Sequence, residues 1–140
     1  MHMKGTPETM QKQVDYENIV QEILDFFIKE VALLRQKGVK DIVIDPGFGF
    51  GKTVRQNYEL LSDLNLFQIL EVPILIGVSR KSMIYKLLNC TPLEALNGSS
   101  VVHLLALQND AKILRVHDVK EAAEVIKIWQ MMEDVKRTEE

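Results

Sequence analysis

The fold class of this chain is indicated most directly by the stretch Asp41-Ile42-Val43-Ile44-Asp45-Pro46-Gly47-Phe48-Gly49-Phe50-Gly51-Lys52. It begins with a short β-branched apolar run and continues into a turn of proline and glycine. That combination is typical of a strand buried in a parallel sheet, followed by a loop at its carboxyl end. Two further apolar runs, at residues 73–78 and 111–116, predict two more buried strands.

Helical patterns alternate with these strands. Apolar residues recur at helical spacing before and after each of them. Gly38 is expected to end the first helix, Thr91 and Glu94 form a capping box at the start of the fourth, and Asp118 is placed to cap the last. The predicted helices cover residues 15–37, 55–70, 81–88, 91–109 and 118–136.

Repeated pairs of helix and apolar strand predict an α/β protein with a parallel sheet covered by helices on its outer face. Three strands leave open edges, which proteins usually cover or close. A (β/α)8 barrel needs about 250 residues, and this chain has 140. The opening Met1-His2-Met3 reads as the tail of another strand, so half a barrel is predicted. A small flavodoxin-like sheet is the competing fold, but it would begin with a clean apolar strand.

Composition excludes several classes of function. The chain is 46% hydrophobic and 26% charged with a net charge of −3, which gives no reason to expect nucleic acid or an anionic membrane as partner. No apolar run approaches the roughly 20 residues that span a bilayer, and no His–Cys cluster has metal-ligand spacing. The single Cys90 reads as a buried or bystander thiol. We expect a cytoplasmic protein that holds no metal with its own side chains.

The loop after the first strand admits several interpretations. It resembles a phosphate-binding P-loop, but the first glycine of that motif falls on Pro46, and the dinucleotide fingerprint fails on spacing as well. The loop could simply turn the chain, although two phenylalanines among its glycines are unusual for a turn. Asp45 could accept hydrogen bonds from a nitrogen-rich heterocycle, or could cap the loop.

The other two strands also end in polar residues. Gly77 would let a flat group approach the backbone, and Arg80 with Lys81 would place positive charge there, unless the two are a solvated basic pair. Arg115 and His117 lie two apart, so both point to one side of a strand, just before a helix whose N-terminus favours anions. Together the loops predict a site for a flat, nitrogen-rich molecule that carries phosphate or pyrophosphate.

The stretches 45–52, 77–82 and 115–118 resemble, in order and spacing, the motifs of the dihydropteroate synthase family. The resemblance covers the whole chain and implies the C-terminal half of a pterin-binding (β/α)8 barrel, from the end of strand five through helix eight, as one domain over residues 1–140. The family joins hydroxymethyl-dihydropterin pyrophosphate to p-aminobenzoate in folate biosynthesis and releases pyrophosphate, assisted by Mg²⁺.

The resemblance also implies roles for individual residues. The catalytic set would be Asp45, Lys81, Arg115 and His117. Asp45 would hold the pterin edge and favour a cation developing on the pterin methylene, while Arg115 and His117 would hold the departing pyrophosphate. The remaining substrate contacts would be Met1 and Gly77 around the pterin, Lys81 between the two substrates, and Phe50 and Ser82 at p-aminobenzoate or a sulfonamide mimic of it.

The first half of the family's barrel has no counterpart in this sequence. We therefore expect the chain alone to be inactive, and to associate with a missing half or with a second copy, since the family forms dimers through helices of this half. Mg²⁺ would be held by the pyrophosphate and the missing half. Two alternatives stay open: a related pterin-binding methyltransferase domain, which needs no pyrophosphate site, and a non-catalytic half-barrel that serves in assembly.

Overall fold

The computed structural model describes residues 1–4 and 15–138 as a helix-rich α/β unit. None of the helices among these residues has the length and apolar character needed to cross a membrane. The elements, in chain order, are α1 Ile19–Gln36, α2 Val54–Ser62, a 3-10 helix Leu64–Leu70, β1 Leu75–Ile76, α3 Ser82–Tyr85, a 3-10 turn Pro92–Glu94, α4 Leu96–Gln108, β2 Ile113–Leu114 and α5 Val119–Thr138.

Four backbone segments lie side by side in chain order. Strands β1 and β2 pair in parallel, with Leu75 opposite Ile113. Ile44 forms a single parallel bridge to Ile74, and the amide of His2 donates to the carbonyl of Asp45 at 2.9 Å. The predicted parallel order is present, but the strand predicted over 41–45 is reduced to one bridge. The other two pair over two residues each, because the ladder hydrogen bonds extend no further before the segments diverge into loops.

The hydrophobic core lies between the outer face of this sheet and the helices. Ile44, Ile74 and Ile76 of the sheet are buried in one cluster with Ile23 and Phe27 of helix α1, which are almost fully inaccessible to solvent. Burying a side chain of this size stabilises the fold by about 1.5–3 kcal/mol. The near-continuous apolar runs of the strands are thus explained on one face, since alternate residues enter this core.

The opposite face of the sheet is open. Val43 is 48% exposed and Ile113 is 38% exposed, and Leu75 between them is half-buried. Because side chains alternate along a strand, the residues two positions further along, Asp45 and Gly77, belong to the same inner face. The inner face therefore has exposed apolar side chains along the strands and a polar end at Asp45. Half of a barrel would present such a face when its other strands are absent.

Two of the predicted helices prove to be divided. The pattern over 55–70 breaks at Asp63 into α2 and a 3-10 helix. Leu64, Phe67 and Leu70 are all buried and lie three apart, which matches the three-residue turn of a 3-10 helix and not the 3.6 residues of an α-helix. The helix predicted over 91–109 likewise splits into a 3-10 turn and α4, although the Glu94 carboxylate accepts from the Thr91 amide at 2.9 Å as the capping box requires.

The first and third helices are shorter than predicted. Helix α1 starts four residues after the predicted Asp15, at Ile19, because the side chain of Asn18 caps it by accepting from the amide of Gln21 at 3.1 Å. It ends at Gln36, one residue before the predicted Lys37, and Gly38 follows with a φ of 82°. Helix α3 keeps only Ser82–Tyr85 of the predicted residues 81–88.

Candidate functional site

Asp45 lies at the upper end of the inner face with both carboxylate oxygens engaged. Its Oδ1 accepts from the amide of Gly47 at 2.8 Å, and its Oδ2 is 3.4 Å from Nη2 of Arg115. The residue is only 8% exposed. The loop-capping interpretation is therefore correct for one oxygen, whereas the other oxygen faces the cationic group from the third strand.

In the glycine loop, residues 47–51, every second residue has a backbone conformation that glycine adopts more readily than other residues. Gly47, Gly49 and Gly51 all have positive φ angles, of 74°, 83° and 62°. Three of its amides are already used within the protein: Gly47 donates to Asp45, Gly49 donates to Oδ1 of Asn57 at 2.7 Å, and Phe50 donates to the carbonyl of Gly47 at 3.1 Å. Amides that are occupied in this way do not form the anion-binding nest of a P-loop.

The two phenylalanines of the glycine loop have different positions. Phe48 is fully buried and belongs to the core. Phe50 is half-buried, and the ammonium of Lys81 lies 4.7 Å from the centroid of its ring. A cation at this distance over an aromatic face is attracted by the ring quadrupole. Only Phe50 therefore remains a candidate for contact with a substrate ring.

Lys81 reaches across the glycine loop from the start of α3. Its Nζ donates to the carbonyl of Phe48 at 2.6 Å. Burial lowers the pKa of Lys81 to about 8, the negative charge of Asp45 opposes that shift, and the positive charge of Arg115 adds to it. The side chain is therefore largely charged at neutral pH, and it lies within electrostatic reach of both residues that were expected to share a site with it.

Gly77 lies directly beneath the guanidinium of Arg115. A Cβ added at Gly77 would stand 2.6 Å from Nη2 and 2.8 Å from Nε of Arg115. The sequence predicted that a flat group would approach the backbone here, and in this structure that flat group is the guanidinium itself. The side chain of Arg115 is 55% exposed, so it is free to turn toward a bound anion.

A small cleft of about 110 Å³ joins these residues to the end of the third strand. It is lined by Gly77, Ser79, Lys81, Arg115, Val116 and His117. Arg115 and His117 are exposed and Val116 between them is half-buried. The amide of His117 donates to Oγ of Ser79 at 3.3 Å, which ties the ends of the two strands together. Arg115, His117 and Lys81 thus present three basic groups to one opening.

Arg80 is not part of this opening, contrary to the prediction that it adds charge beside Lys81. Its Nε and Nη2 donate to the two carboxylate oxygens of Asp118 at 2.8 and 2.9 Å, and its Nη1 donates to the carbonyl of Pro92 at 3.0 Å. Its amide donates to Oγ of Ser99 at 2.8 Å. Hydrogen bonds from Arg80 hold the pKa of Asp118 below its usual value. Arg80 therefore connects the second strand end to α4 and α5.

Met1 and Ser82 lie at the margins of the site. Met1 is 55% exposed at the open edge, next to His2, whose amide bonds to Asp45. Ser82 is half-buried and is the first residue of α3, directly after Lys81. Of the eight residues predicted for the site, Gly77, Lys81, Arg115 and His117 line one opening. Asp45 adjoins the opening through Arg115, and Phe50 adjoins it through Lys81.

Three buried polar residues behind the site were missed from the sequence. Lys52 is 8% exposed, and its Nζ donates to the carbonyls of Gly47 at 2.7 Å and Phe50 at 3.1 Å. Nδ1 of His2 lies 3.4 Å from the same Nζ. Burial lowers the pKa of Lys52 to about 8. Burial and the positive charge of Lys52 lower the pKa of His2 to about 4. Asn57, 1% exposed, completes the set. Only Lys52 had a signal in the sequence, as the residue closing the glycine loop.

The described residues, 1–4 and 15–138, contain no group of three His, Cys, Asp or Glu side chains arranged to hold a metal ion. Asp45, the carboxylate at the opening, already accepts from Gly47 and faces Arg115. This donor set does not fit a resident Mg²⁺.

Comparison with known proteins identifies the family of this chain. Residues 1–117 match the model of a family described as pterin binding enzyme. Dihydropteroate synthase of Escherichia coli K12 is 44% identical over 130 residues, which are 91% of this chain and 46% of that protein. The protein of Haemophilus influenzae with the same name is 46% identical over 132 residues, 93% of this chain and 48% of its own length. The chain thus spans about half the length of the curated relatives it matches.

Solved structures give the same result. Dihydropteroate synthase of Yersinia pestis with a sulfonamide drug complex superposes with a TM-score of 0.92 at 38% identity, covering 96% of this chain and 50% of that chain. The Thermus thermophilus enzyme, solved in complex with 6HMPPP and separately with 4-aminobenzoate, gives TM-scores of 0.90 and 0.89 at 35% and 36% identity. The complex with 6HMPPP covers 94% of this chain and 53% of its own.

These matches confirm the resemblance stated from the three strand-end motifs, and they confirm the fold as part of a (β/α)8 barrel. The flavodoxin-like alternative is excluded, because the similarity extends over more than nine-tenths of the chain. The chain belongs to the family of pterin binding enzymes, and the relatives it matches are dihydropteroate synthases.

Proposed function

We propose that residues 1–140 form the C-terminal half of a pterin-binding barrel domain that works as a dihydropteroate synthase when its first half is present. The observation that carries this proposal is the meeting of Asp45 and Arg115 above Gly77, with Lys81 and His117 at the same opening. One carboxylate and three basic groups on one polar end of an otherwise apolar barrel face suit a heterocycle that bears a pyrophosphate.

The pterin would bind on the inner face beside Asp45. The nitrogen-bound protons of the pterin would be donated to Oδ2 of Asp45, once Arg115 turns from the carboxylate toward the pyrophosphate. Gly77 leaves room for a ring against the backbone when the guanidinium moves. Met1, exposed at the adjoining edge, would cover one side of the ring. The side chain of Arg115 is about half exposed, which supports this movement of the guanidinium from Asp45 to the pyrophosphate.

The pyrophosphate would be held by Arg115 and His117, with Lys81 at its pterin side. In the proposed reaction, the amine nitrogen of p-aminobenzoate forms a bond to the pterin methylene, the carbon–oxygen bond to pyrophosphate breaks, and the amine loses a proton. Negative charge grows on the leaving oxygen, and fixed cations close to that oxygen lower the barrier. Asp45 would favour positive charge that develops on the methylene. No side chain is required as a nucleophile.

p-Aminobenzoate would lie over Phe50, close to Ser82 and Lys81. Phe50 offers a half-buried ring face beside the ammonium of Lys81, and an aromatic acid can contact both. A sulfonamide mimic of p-aminobenzoate would compete for the same surface. Mg²⁺ would find its ligands on the pyrophosphate and on the missing half, since the described residues do not hold it, and we assign it no step within this chain.

The chain alone would be inactive, because half of the strand ends that line a barrel site are absent. Misplacement by about 1 Å can already cost roughly 100-fold in rate. Helix α5 also carries an exposed apolar stripe, for which we propose contact with a second copy in a cytoplasmic dimer. The stripe has the helical spacing of a packing face, and it consists of Ile128, Met131, Met132 and Val135, exposed by 63, 66, 47 and 53%.

Two other functions are weaker. A pterin-binding methyltransferase domain would have no use for Arg115, His117 and Lys81 at one opening. A non-catalytic assembly module is favoured by one observation, the open inner face at Val43 and Ile113. It does not explain why a carboxyl group and three basic side chains lie close together at the end of that face.

Calorimetric titration of the chain with hydroxymethyl-dihydropterin pyrophosphate and Mg²⁺ tests the proposal. We expect measurable binding that Asp45→Ala and Arg115→Ala each weaken at least tenfold. Arg55→Ala is the control, because Arg55 pairs with Glu59 on the exposed side of α2. A folded chain that binds no pterin pyrophosphate, or that binds it equally well after both substitutions, would sink the proposal and favour the assembly module.

A further inference from the structure

Lys52 stands behind the glycine loop as a buried cation whose donors are fully used. A lysine ammonium has three protons to donate. Its neighbours here are the carbonyl oxygens of Gly47 and Phe50 and the Nδ1 atom of His2, at 2.7, 3.1 and 3.4 Å. All three are acceptors when the proton of the His2 ring sits on Nε2. With this tautomer, the three protons of the ammonium all have acceptors within the protein.

The two carbonyls are the two ends of one turn. The amide of Phe50 donates to the carbonyl of Gly47 at 3.1 Å, so residues 47–50 form a β-turn, and Lys52 bridges its first and last residues. Oδ1 of Asp45 accepts from the Gly47 amide of the same turn. The turn thus connects the carboxylate at one end with the Phe50 ring at the other.

A purely structural role does not account for a charge in this place. Burying a charge costs free energy, and apolar residues of similar size often stabilise a buried site as well or better. The ammonium donates to both carbonyl oxygens. An apolar side chain would leave the Gly47 carbonyl with the Phe50 amide alone and would take from the Phe50 carbonyl its donor Lys52. The opposite side of the loop is held separately, by Lys81 on the carbonyl of Phe48 and by Asn57 on the amide of Gly49.

We propose that Lys52 is a positioning residue, which holds the glycine loop in the one shape that presents Asp45 and Phe50 to the substrates. This inference rests on the proposed function for its substrates, but the shape of the loop can be measured without them. Lys52 acts through the loop and touches no substrate itself, in contrast to Lys81 on the outer side.

The test compares four versions of the full chain. Lys52→Met removes the ammonium and keeps the volume. Lys52→Cys in a Cys90→Ser background, alkylated with 2-bromoethylamine in denaturant and refolded, returns an ammonium at nearly the lysine length. Lys127→Met, on the exposed surface of α5, is the matched control. The unmodified chain is the reference.

Hydrogen exchange of the Gly47, Gly49 and Phe50 amides gives the first readout, since all three are hydrogen-bonded within the loop. We expect Lys52→Met to accelerate their exchange by about tenfold or more, as the loss of a charged donor at a buried acceptor would do. Amides of α4 should not change, the aminoethylated chain should recover, and Lys127→Met should match the reference. Unchanged loop exchange, or equal acceleration in α4, would overturn the inference.

Affinity for hydroxymethyl-dihydropterin pyrophosphate with Mg²⁺ gives the second readout. We expect a loss of about tenfold with Lys52→Met and recovery on aminoethylation. A loosened loop with unchanged affinity would also overturn the inference, because the loop shape would then not matter to the site. If the reference chain itself does not bind, the proposed function fails for this chain, and the exchange data alone still decide whether Lys52 fixes the loop.

Discussion

The guanidinium of Arg115 lies so close over Gly77 that even a methyl group on the glycine would collide with it, at 2.6 Å from Nη2. Gly77 and Arg115 follow the neighbouring parallel strands β1 and β2. Arg115 also faces Asp45, which follows the bridged residue Ile44 on the other side of β1. The absence of a side chain at Gly77 therefore sets where the arginine rests. This relationship links a backbone requirement to the electrostatics of the site.

Gly77→Ala should displace Arg115 with little loss of stability, because the atoms in the way are the end of a flexible side chain. We expect the affinity for pterin pyrophosphate to fall about as far as in Arg115→Ala, by roughly tenfold. Calorimetry on both single variants and on the double variant checks this. In the Arg115→Ala background, Gly77→Ala should cause a smaller loss than it does alone, which is the loss from the methyl group meeting the pterin ring. Fully additive losses would contradict the relationship between Gly77 and Arg115.

Gly47→Ala should be far more damaging to stability than Gly38→Ala, although both glycines have positive φ angles. A Cβ at Gly47 would stand 1.8 Å from the carbonyl oxygen of His2, whereas nothing lies within 4 Å of one at Gly38. We expect Gly38→Ala to cost only the left-handed strain, about 1–2 kcal/mol, and Gly47→Ala to cost more by disrupting the edge. Urea unfolding compares the two, and equal costs would contradict the close approach of His2.

Binding of pterin pyrophosphate should weaken at alkaline pH because Lys81 loses its proton there. Burial lowers the pKa of Lys81 to about 8, so the ammonium is present below that pH and disappears as the pH rises through it. Affinity should then fall by up to about tenfold per pH unit above 8. Calorimetry between pH 7 and 9.5 follows the change.

Lys81→Arg is the control for this titration, because a guanidinium keeps its charge throughout that range. We expect a much flatter profile in this variant. If Lys81→Arg shows the same decline as the unmodified chain, then another group is responsible. Lys52, whose pKa burial also lowers to about 8, would be the next candidate.

The self-association proposed for α5 should depend on its apolar stripe and not on the open inner face. Ile128→Glu places a charge in the stripe, and Ile113→Glu places one on the inner face, where the native side chains are 63% and 38% exposed. In sedimentation velocity, we expect Ile128→Glu to shift the chain toward monomer and Ile113→Glu to leave the dimer intact. The reverse pattern would assign the contact to the inner face.

Much of the fold could be predicted because its signals are local. The change from helical spacing to short β-branched runs identifies the strands, and Gly38 marks the end of α1 at a φ of 82°. The division of the second helix was missed, although its signal is present: Leu64, Phe67 and Leu70 are buried at intervals of three. A window that spans two turns averages such a change of period into one helix.

The polar residues at the ends of the parallel strands can be identified from the sequence, because the carboxyl ends of such strands meet at one edge. Asp45, Gly77, Arg115 and His117 could be grouped on that basis alone. Which partner each charged side chain reaches depends on the packing of the folded chain. Arg80 bonds to Asp118 across 38 positions, and Lys52 meets His2 across 50. Such pairings depend on how distant segments of the chain pack. Adjacent basic residues such as Arg80 and Lys81 have similar sequence contexts, and their different partners become apparent only in the folded structure.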